Sequence, residues 1–159
     1  MAAKSNELGG SELTFRTEPR NGATWVALKG NITEQVDFGP LQRLQPPLVI
    51  DLGAVDRINS LGVRAWIYFV KEREGAGVPI TFERVSPQMV TQMSMITSFM
   101  GKTSQVASVL VPYVCLQDNT EQLDQLDIVP GAQLHAVACP KCGTPMVIDD
   151  LEATYTRLL

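Results

Sequence analysis

Leu48-Val49-Ile50-Asp51-Leu52-Gly53-Ala54-Val55-Asp56-Arg57-Ile58-Asn59-Ser60-Leu61-Gly62-Val63 decides how the chain is read. Leu48-Val49-Ile50 is a short apolar run with two β-branched residues, fenced by Pro46-Pro47 before it and by Asp51 and Gly53 after it. That composition suits a strand buried on both faces of a helix-covered sheet. After a short connection, Leu61, Val63, Ala65, Trp66, Tyr68, Phe69 and Val70 precede Lys71-Glu72-Arg73-Glu74. This is the pattern of a helix with a wide apolar surface, a basic residue in its last turn and Gly75 as its stop.

Ser60 stands at or beside the start of that helix, where two roles are open. Its hydroxyl can accept from a free N–H of the first turn, which contributes about 1 kcal/mol. Alternatively it can carry a phosphate, whose roughly −1.5 to −2 charges would lie against the positive end of the helix dipole. The second role changes the sign of the outer surface without unfolding the helix, as a reversible docking switch requires.

The strand, Asp51-Leu52, Val55 and Ile58-Asn59-Ser60-Leu61-Gly62-Val63 together resemble the STAS domain, the fold of bacterial anti-sigma factor antagonists. The resemblance spans roughly the first two-thirds of the 159 residues. It implies an α/β fold, a mixed sheet with helices packed on it, in a non-enzymatic signal-transduction protein. In the best-known antagonists an Asp-Ser pair opens the helix, and a partner kinase phosphorylates the serine to break the complex. Carried over, the serine is Ser60 and the aspartate position is Asn59, with Gly62 and Asp56 on the same partner-binding surface. The implied partner is an anti-sigma-factor-like kinase or another regulator. Asn59 is a departure, because an amide removes one negative charge and one acceptor beside the serine. A constitutive assembly or scaffold protein in which Ser60 is never modified follows from that departure.

Working outward, residues 1–11 are polar and glycine-bearing, and are expected to form a flexible N-terminal tail. Leu13 and Phe15 on one side and Trp25, Ala27 and Leu28 on the other flank Asn21-Gly22, a hairpin signal. Val36, Phe38, Leu41 and Leu44 suggest a short helix interrupted near Gly39-Pro40. Val78-Pro79-Ile80-Thr81-Phe82 reads as a strand, with Pro79 at its start or on an edge. Ser86-Pro87 opens a further helix, serine as cap, running through Met89, Val90, Met93, Met95, Ile96 and Phe99 to Gly101. Its methionines read as irregular core filling rather than a docking surface. These features bound a STAS-like domain at residues 12–104, followed by a smaller β-rich module at residues 105–159.

The second module carries the cysteines. Cys139-Pro140-Lys141-Cys142-Gly143 is a metal knuckle, and Cys115-Leu116-Gln117-Asp118-Asn119 repeats its spacing with a carboxylate at the second ligand position. The layout resembles a zinc ribbon, with strands through residues 126–129 and 134–138 between the knuckles. Typical ribbons have cysteine at all four positions, so three thiolates and the Asp118 carboxylate would bind one structural zinc, carboxylate oxygen reaching zinc at about 2.0–2.2 Å. His135 is the alternative fourth ligand: if residues 135–139 are extended, its side chain and that of Cys139 share a face. The tail from Met146 adds one strand, an acidic turn at Asp149-Asp150 and a short helix.

Bulk properties narrow the function. Net charge is −4, and the thirteen Lys and Arg residues are scattered, which argues against a general binder of nucleic acid or anionic membrane. No apolar run approaches the roughly 20 residues that span a bilayer, and the start lacks the apolar core of a signal peptide. Three cysteines, an odd number, fit metal chemistry in a reducing compartment better than a disulfide framework. A cytoplasmic location is expected. One histidine, no triad and no phosphate-cradling glycine loop speak against an enzyme. A zinc-ribbon nucleic-acid binder remains as a reading from another class, and a second copy of the chain is a further conceivable partner.

Overall fold

The computed structural model describes residues 4–7, 12–150 and 152–159. Of the expected N-terminal tail, residues 1–3 and 8–11 lie outside the described residues, whereas Lys4–Glu7 form strand β1. β1 pairs antiparallel with β2 (Leu13–Arg20), which pairs antiparallel with β3 (Ala23–Ile32). Between them Asn21 and Gly22 take φ of 51° and 80°, the pair of positive values a two-residue hairpin turn needs to match strand twist.

The decisive stretch differs from its sequence reading. Strand β4 runs over Leu48–Ile58, straight through Asp51 and Gly53. It lies parallel to β3 and to β5 (Ile80–Glu83), so the expected connection shrinks to Asn59. Two local solutions keep the strand going. The buried Asp51 carboxylate accepts from Gly53 N at 2.8 Å and from Arg84 Nη1 at 3.2 Å. A register shift against β3, between Ala27 and Lys29, absorbs the extra residue as a bulge. A parallel pair with β6 (Gln105–Val106) completes a six-stranded mixed sheet in the order β1-β2-β3-β4-β5-β6.

One face of this sheet, formed by Phe15, Leu28, Val26, Ile50 and Phe82 across the strands, receives the helices. Helix α1 (Gly39–Gln42) starts at Gly39-Pro40 instead of breaking there, since proline in the first turn loses no hydrogen bond. Helix α2 (Ser60–Gly75) buries Trp66, Phe69 and Val70. Trp66 sits among Phe38, Phe69, Phe82 and Phe99 with ring centroids 5.6–6.0 Å away, and its Nε1–H donates to Phe99 O at 2.9 Å. Gly75 stays inside α2; the turn that ends it uses Gly77 (φ 75°), whose N–H donates to Glu74 O. Helix α3 (Pro87–Met95) stops at Met95 and gives way to turns up to Gly101. Ser86 occupies its cap position but makes no capping bond. Met89 and Met100 are buried in the core and Met93 packs against it, while Met95 is exposed.

The second sheet has the order β8-β7-β9, with β7 (Ser108–Val114) antiparallel to both β8 (Glu121–Asp127) and β9 (Val147–Ile148). Residues 132–137 form no strand, contrary to the expected one at 134–138; only Ala138 pairs, through a bridge to Pro145. The two sheets are stitched together along one seam. Ala107 N donates to Phe82 O (2.7 Å), Val85 N to Ser108 O (3.1 Å) and Leu110 N to Val85 O (2.9 Å). Val109, Val111, Tyr113 and Tyr155 of helix α4 (Glu152–Thr156) belong to the same continuous core as Trp66.

The link between the sheets is anchored by one carboxylate. Glu74 accepts from Lys102 N (2.8 Å), Thr103 N (2.6 Å), Thr103 Oγ1 (2.7 Å), Ser104 N (2.8 Å) and Ser104 Oγ (3.0 Å). Burial raises its pKa, but these donors outweigh burial and bring it down to about 2 from 4.5. The folded pKa is the lower one, so the stabilisation is present above 4.5 and is lost as pH falls from there towards 2. Glu74→Gln is expected to flatten the acid limb of the stability–pH curve in that window. Solvent screening keeps the effect modest. Urea melts at pH 6 and pH 3 check it: an unchanged acid limb would mean the cage contributes nothing.

Candidate metal centre and the Ser60 helix start

The end of β7 delivers Cys115 into a tight turn. Asn119 N donates to Cys115 O (2.8 Å), Cys115 N donates to Thr120 O (2.8 Å), and Asn119 takes φ 62°. The second turn has the same backbone: Gly143 N donates to Cys139 O (2.9 Å), Cys139 N to Thr144 O (2.8 Å), and Gly143 takes φ 75°. Asp118 and Cys142 therefore occupy equivalent positions in two copies of one knuckle.

The four side chains converge. Cys115, Asp118, Cys139 and Cys142 offer ligand atoms all within 4.8 Å of one another. Cys115 Sγ is 3.5 Å from Cys142 Sγ, and Cys139 Sγ is 3.5 and 3.7 Å from the two Asp118 oxygens. Thiolates about 2.3 Å from a tetrahedral ion stand about 3.8 Å apart, and a thiolate and a carboxylate oxygen about 3.5 Å. The contacts at 3.5 and 3.7 Å are close to those a central tetrahedral ion requires. The cluster can hold one. Cys115 and Cys139 are buried, while Asp118 and Cys142 face solvent, so one side of the site is open.

Charge is distributed unevenly over the four. Burial pushes the Cys115 thiol up to about 11. Burial acts the same way on Cys139, but the N–H groups of Cys142 and Lys141 outweigh it and lower its pKa. Asp118 is held well below the usual carboxylate range, chiefly by the hydroxyl and N–H of Thr120. A metal would complete the ionisation of the thiols, releasing protons as it binds.

His135 does not belong to the group. It is exposed in the irregular 132–137 segment, and its backbone oxygen accepts from Tyr113 Oη at 3.0 Å. The strand that would have turned its ring towards Cys139 is not formed there.

At the start of α2 the capping residue is Asn59, whose Oδ1 accepts from Gly62 N at 2.8 Å. Ser60 is the first helical residue, exposed, and its hydroxyl makes no hydrogen bond to a described residue. Gly62 is buried and cannot be a contact surface: a Cβ there would lie 2.1 Å from Ile32 O, so glycine lets the helix sit on the end of β3. Asp56 lies in a separate depression against Ser86, Pro87 and Leu123, apart from the hollow beside the helix start. That hollow, about 580 Å3, is lined by Glu12, Asn31, Thr33, Arg57, Asn59 and Gln88.

Arg57, Arg64 and Glu34 escaped the sequence reading. Arg57 and Arg64 are exposed before and after Ser60, and Leu61 and Tyr68 lie on the same outward helix face, 49% and 69% exposed. Glu34 accepts from Asn59 Nδ2 at 2.7 Å, which lowers its pKa and sets a carboxylate beside the helix start. The helical spacing of Leu61, Arg64 and Tyr68 was a visible signal; for Glu34, 25 residues distant in sequence, there was none. No helix among the described residues is long and apolar enough to cross a membrane. No family model matches the sequence, and no curated protein matches it.

Proposed function

We propose that the chain is a non-enzymatic, cytoplasmic regulator of STAS type. It docks a protein partner through the α2 start, and transfer of the ATP γ-phosphoryl group to Ser60 Oγ by a kinase partner releases it. One observation carries this reading. The bland role of Ser60, helix capping, is already taken by Asn59, so an exposed hydroxyl at a helix start is left without a structural task. Phosphate there would gain the free N–H groups of the first turn and Arg64 one turn along, while adding negative charge to a face now carrying Arg57, Arg64, Leu61 and Tyr68. A partner that meets this face with acidic and apolar groups is repelled after modification. The surrounding positions are complementary to the reading: Glu34, held by Asn59, supplies the carboxylate that the family pattern would have at position 59.

In the same proposal the metal of the Cys115, Asp118, Cys139 and Cys142 site is zinc, serving structure. Three soft thiolates select zinc over magnesium or calcium, and one carboxylate is within its ligand range.

The docking reading is tested with the full chain from its native host. Ser60→Ala is expected to retain the co-purifying partner and Ser60→Asp to lose about tenfold of it, the loss a like-charge contact of about 1.4 kcal/mol gives. Mass spectrometry should find phosphate on Ser60 in a fraction of the wild-type protein. Equal recovery by both variants, with no phosphate, would leave constitutive assembly as the better account.

A further inference from the structure

The sheet face turned away from the helices holds a second cluster of charge. Across β2, β3, β4 and β5 the register Arg16↔Ala27, Ala27↔Asp51 and Asp51↔Glu83 runs beside Thr14↔Lys29 and Lys29↔Ala54. Ala27 and Ala54 therefore form a low floor, with Arg16 and Lys29 on one side. On the other side Arg84 reaches back over Gly53, its guanidinium so close that a Cβ on Gly53 would lie 3.0 Å from it. The resulting depression is about 330 Å3.

Three features mark it as more than a solvated surface. Arg84 is held at φ 49°, a left-handed conformation unfavourable for arginine, with its N–H bonded to Ser108 Oγ at 2.8 Å. Its one side-chain partner is the 94% buried Asp51, and its Nε and Nη2 bond to no described residue. Lys29 Nζ has no partner among the described residues, and Arg16 makes only a ring contact with Trp25, 5.1 Å from its centroid. Three incompletely paired cations thus face one hollow of a chain whose net charge is −4. The three lining cations outnumber the one lining carboxylate, Asp51, by two. Glu83, next to Asp51 on this face and bonded by Trp25 Nε1 at 2.7 Å, offsets part of that surplus. The remaining positive charge favours the roughly −1.5 to −2 of a phosphomonoester. Guanidinium groups approaching from opposite sides suit a tetrahedral oxyanion with several acceptors better than a flat monoanionic carboxylate.

We infer that this hollow binds a small phosphate-bearing ligand, its phosphate held by Arg16, Lys29 and Arg84 over the Ala27–Ala54 floor. The phosphate can belong to a soluble metabolite or to a lipid headgroup. Asp51 keeps Arg84 in place, and Trp25 lies close enough to report occupancy.

Inorganic phosphate and glycerol 3-phosphate are titrated into the full chain at constant ionic strength set with chloride, followed by calorimetry and Trp fluorescence. Saturable binding is expected, weakened about tenfold by Lys29→Ala and abolished by Ala54→Asp, which sets a like charge on the floor. Circular dichroism establishes that each variant is folded, and Lys29→Ala alone suffices if Ala54→Asp is not. Vesicles of phosphatidate in phosphatidylcholine distinguish the source: capture by these without binding of soluble phosphates assigns the headgroup. Binding of neither, or equal binding by wild type and Lys29→Ala, overturns the inference.

Discussion

Cys139→Ser protein is expected to emerge from purification without the equivalent of zinc that the proposed site should give the wild type, and with its knuckles open to solvent. Serine at that position offers a hydroxyl that does not ionise near neutral pH, so the centre falls to two thiolates and a carboxylate. Cys139 is also buried and lies 3.5 Å from Asp118, so its loss removes one of the two contacts between the knuckles and leaves only that of Cys115 with Cys142. Binding of a structural zinc is worth about 10–16 kcal/mol in small peptides, and that energy is folding energy for the loops that supply the ligands. Here the neighbouring strands have their own buried residues, so the damage should be confined to residues 115–120 and 138–146 and not reach the first sheet. Metal analysis gives the stoichiometry, and amide exchange gives the extent. Asp118→Cys should act in the opposite direction, converting the open side to a fourth thiolate and slowing loss of zinc to a chelator by about tenfold or more. Wild-type protein without metal, or a Cys139→Ser variant that keeps it, would refute the zinc centre.

Gly62→Ala is expected to destabilise the protein by about 1–3 kcal/mol, although alanine is the better helix former by about 1 kcal/mol. The new methyl would meet Ile32 O at 2.1 Å and Ile32 C at 2.7 Å, both backbone atoms of a strand paired on two sides. Relief requires α2 to lift from β3, which strains the Asn59 cap and the Asn59 N–H bond to Ile32 O at 3.2 Å. Gly75, in the same helix, is the control. A Cβ there meets nothing within 4 Å, so Gly75→Ala should stabilise by about 0.5–1 kcal/mol. Urea denaturation of the two variants tests opposite signs within one helix. If both stabilise, the close approach of α2 to the sheet is not as described.

Legibility in the sequence followed the range of the interactions. Asn21-Gly22 sets its hairpin by local backbone preference, and the turn appears where the sequence puts it. Trp66, Phe69 and Val70 of α2 bury as their spacing requires, whereas Leu61 and Tyr68 of the same apolar set face outward. The repeated two-residue gap of 115–118 and 139–142 brings its side chains together. What was misread depends on distant partners. Asp51 and Gly53 look like strand breakers until Arg84, 33 residues later, answers the charge and occupies the room left by the missing side chain. Capping is one of two open roles for Ser60 in the sequence, because Asn59 and Ser60 are both good capping residues and a single position decides between them; the cap is Asn59. His135 lies outside the cluster, in an irregular segment, and periodicity cannot report a strand that lacks a pairing partner.

The seam between the sheets has a consequence for anyone dissecting this protein. Severing the chain near residue 104 would uncover Phe82 O and the Val85 main chain, and would deprive the aromatic cluster of Val109, Val111 and Tyr155. Neither fragment should be expected to express as a well-behaved species. Mixing the two fragments, however, offers a natural complementation assay, in which recovery of native fluorescence reports reassembly across the break.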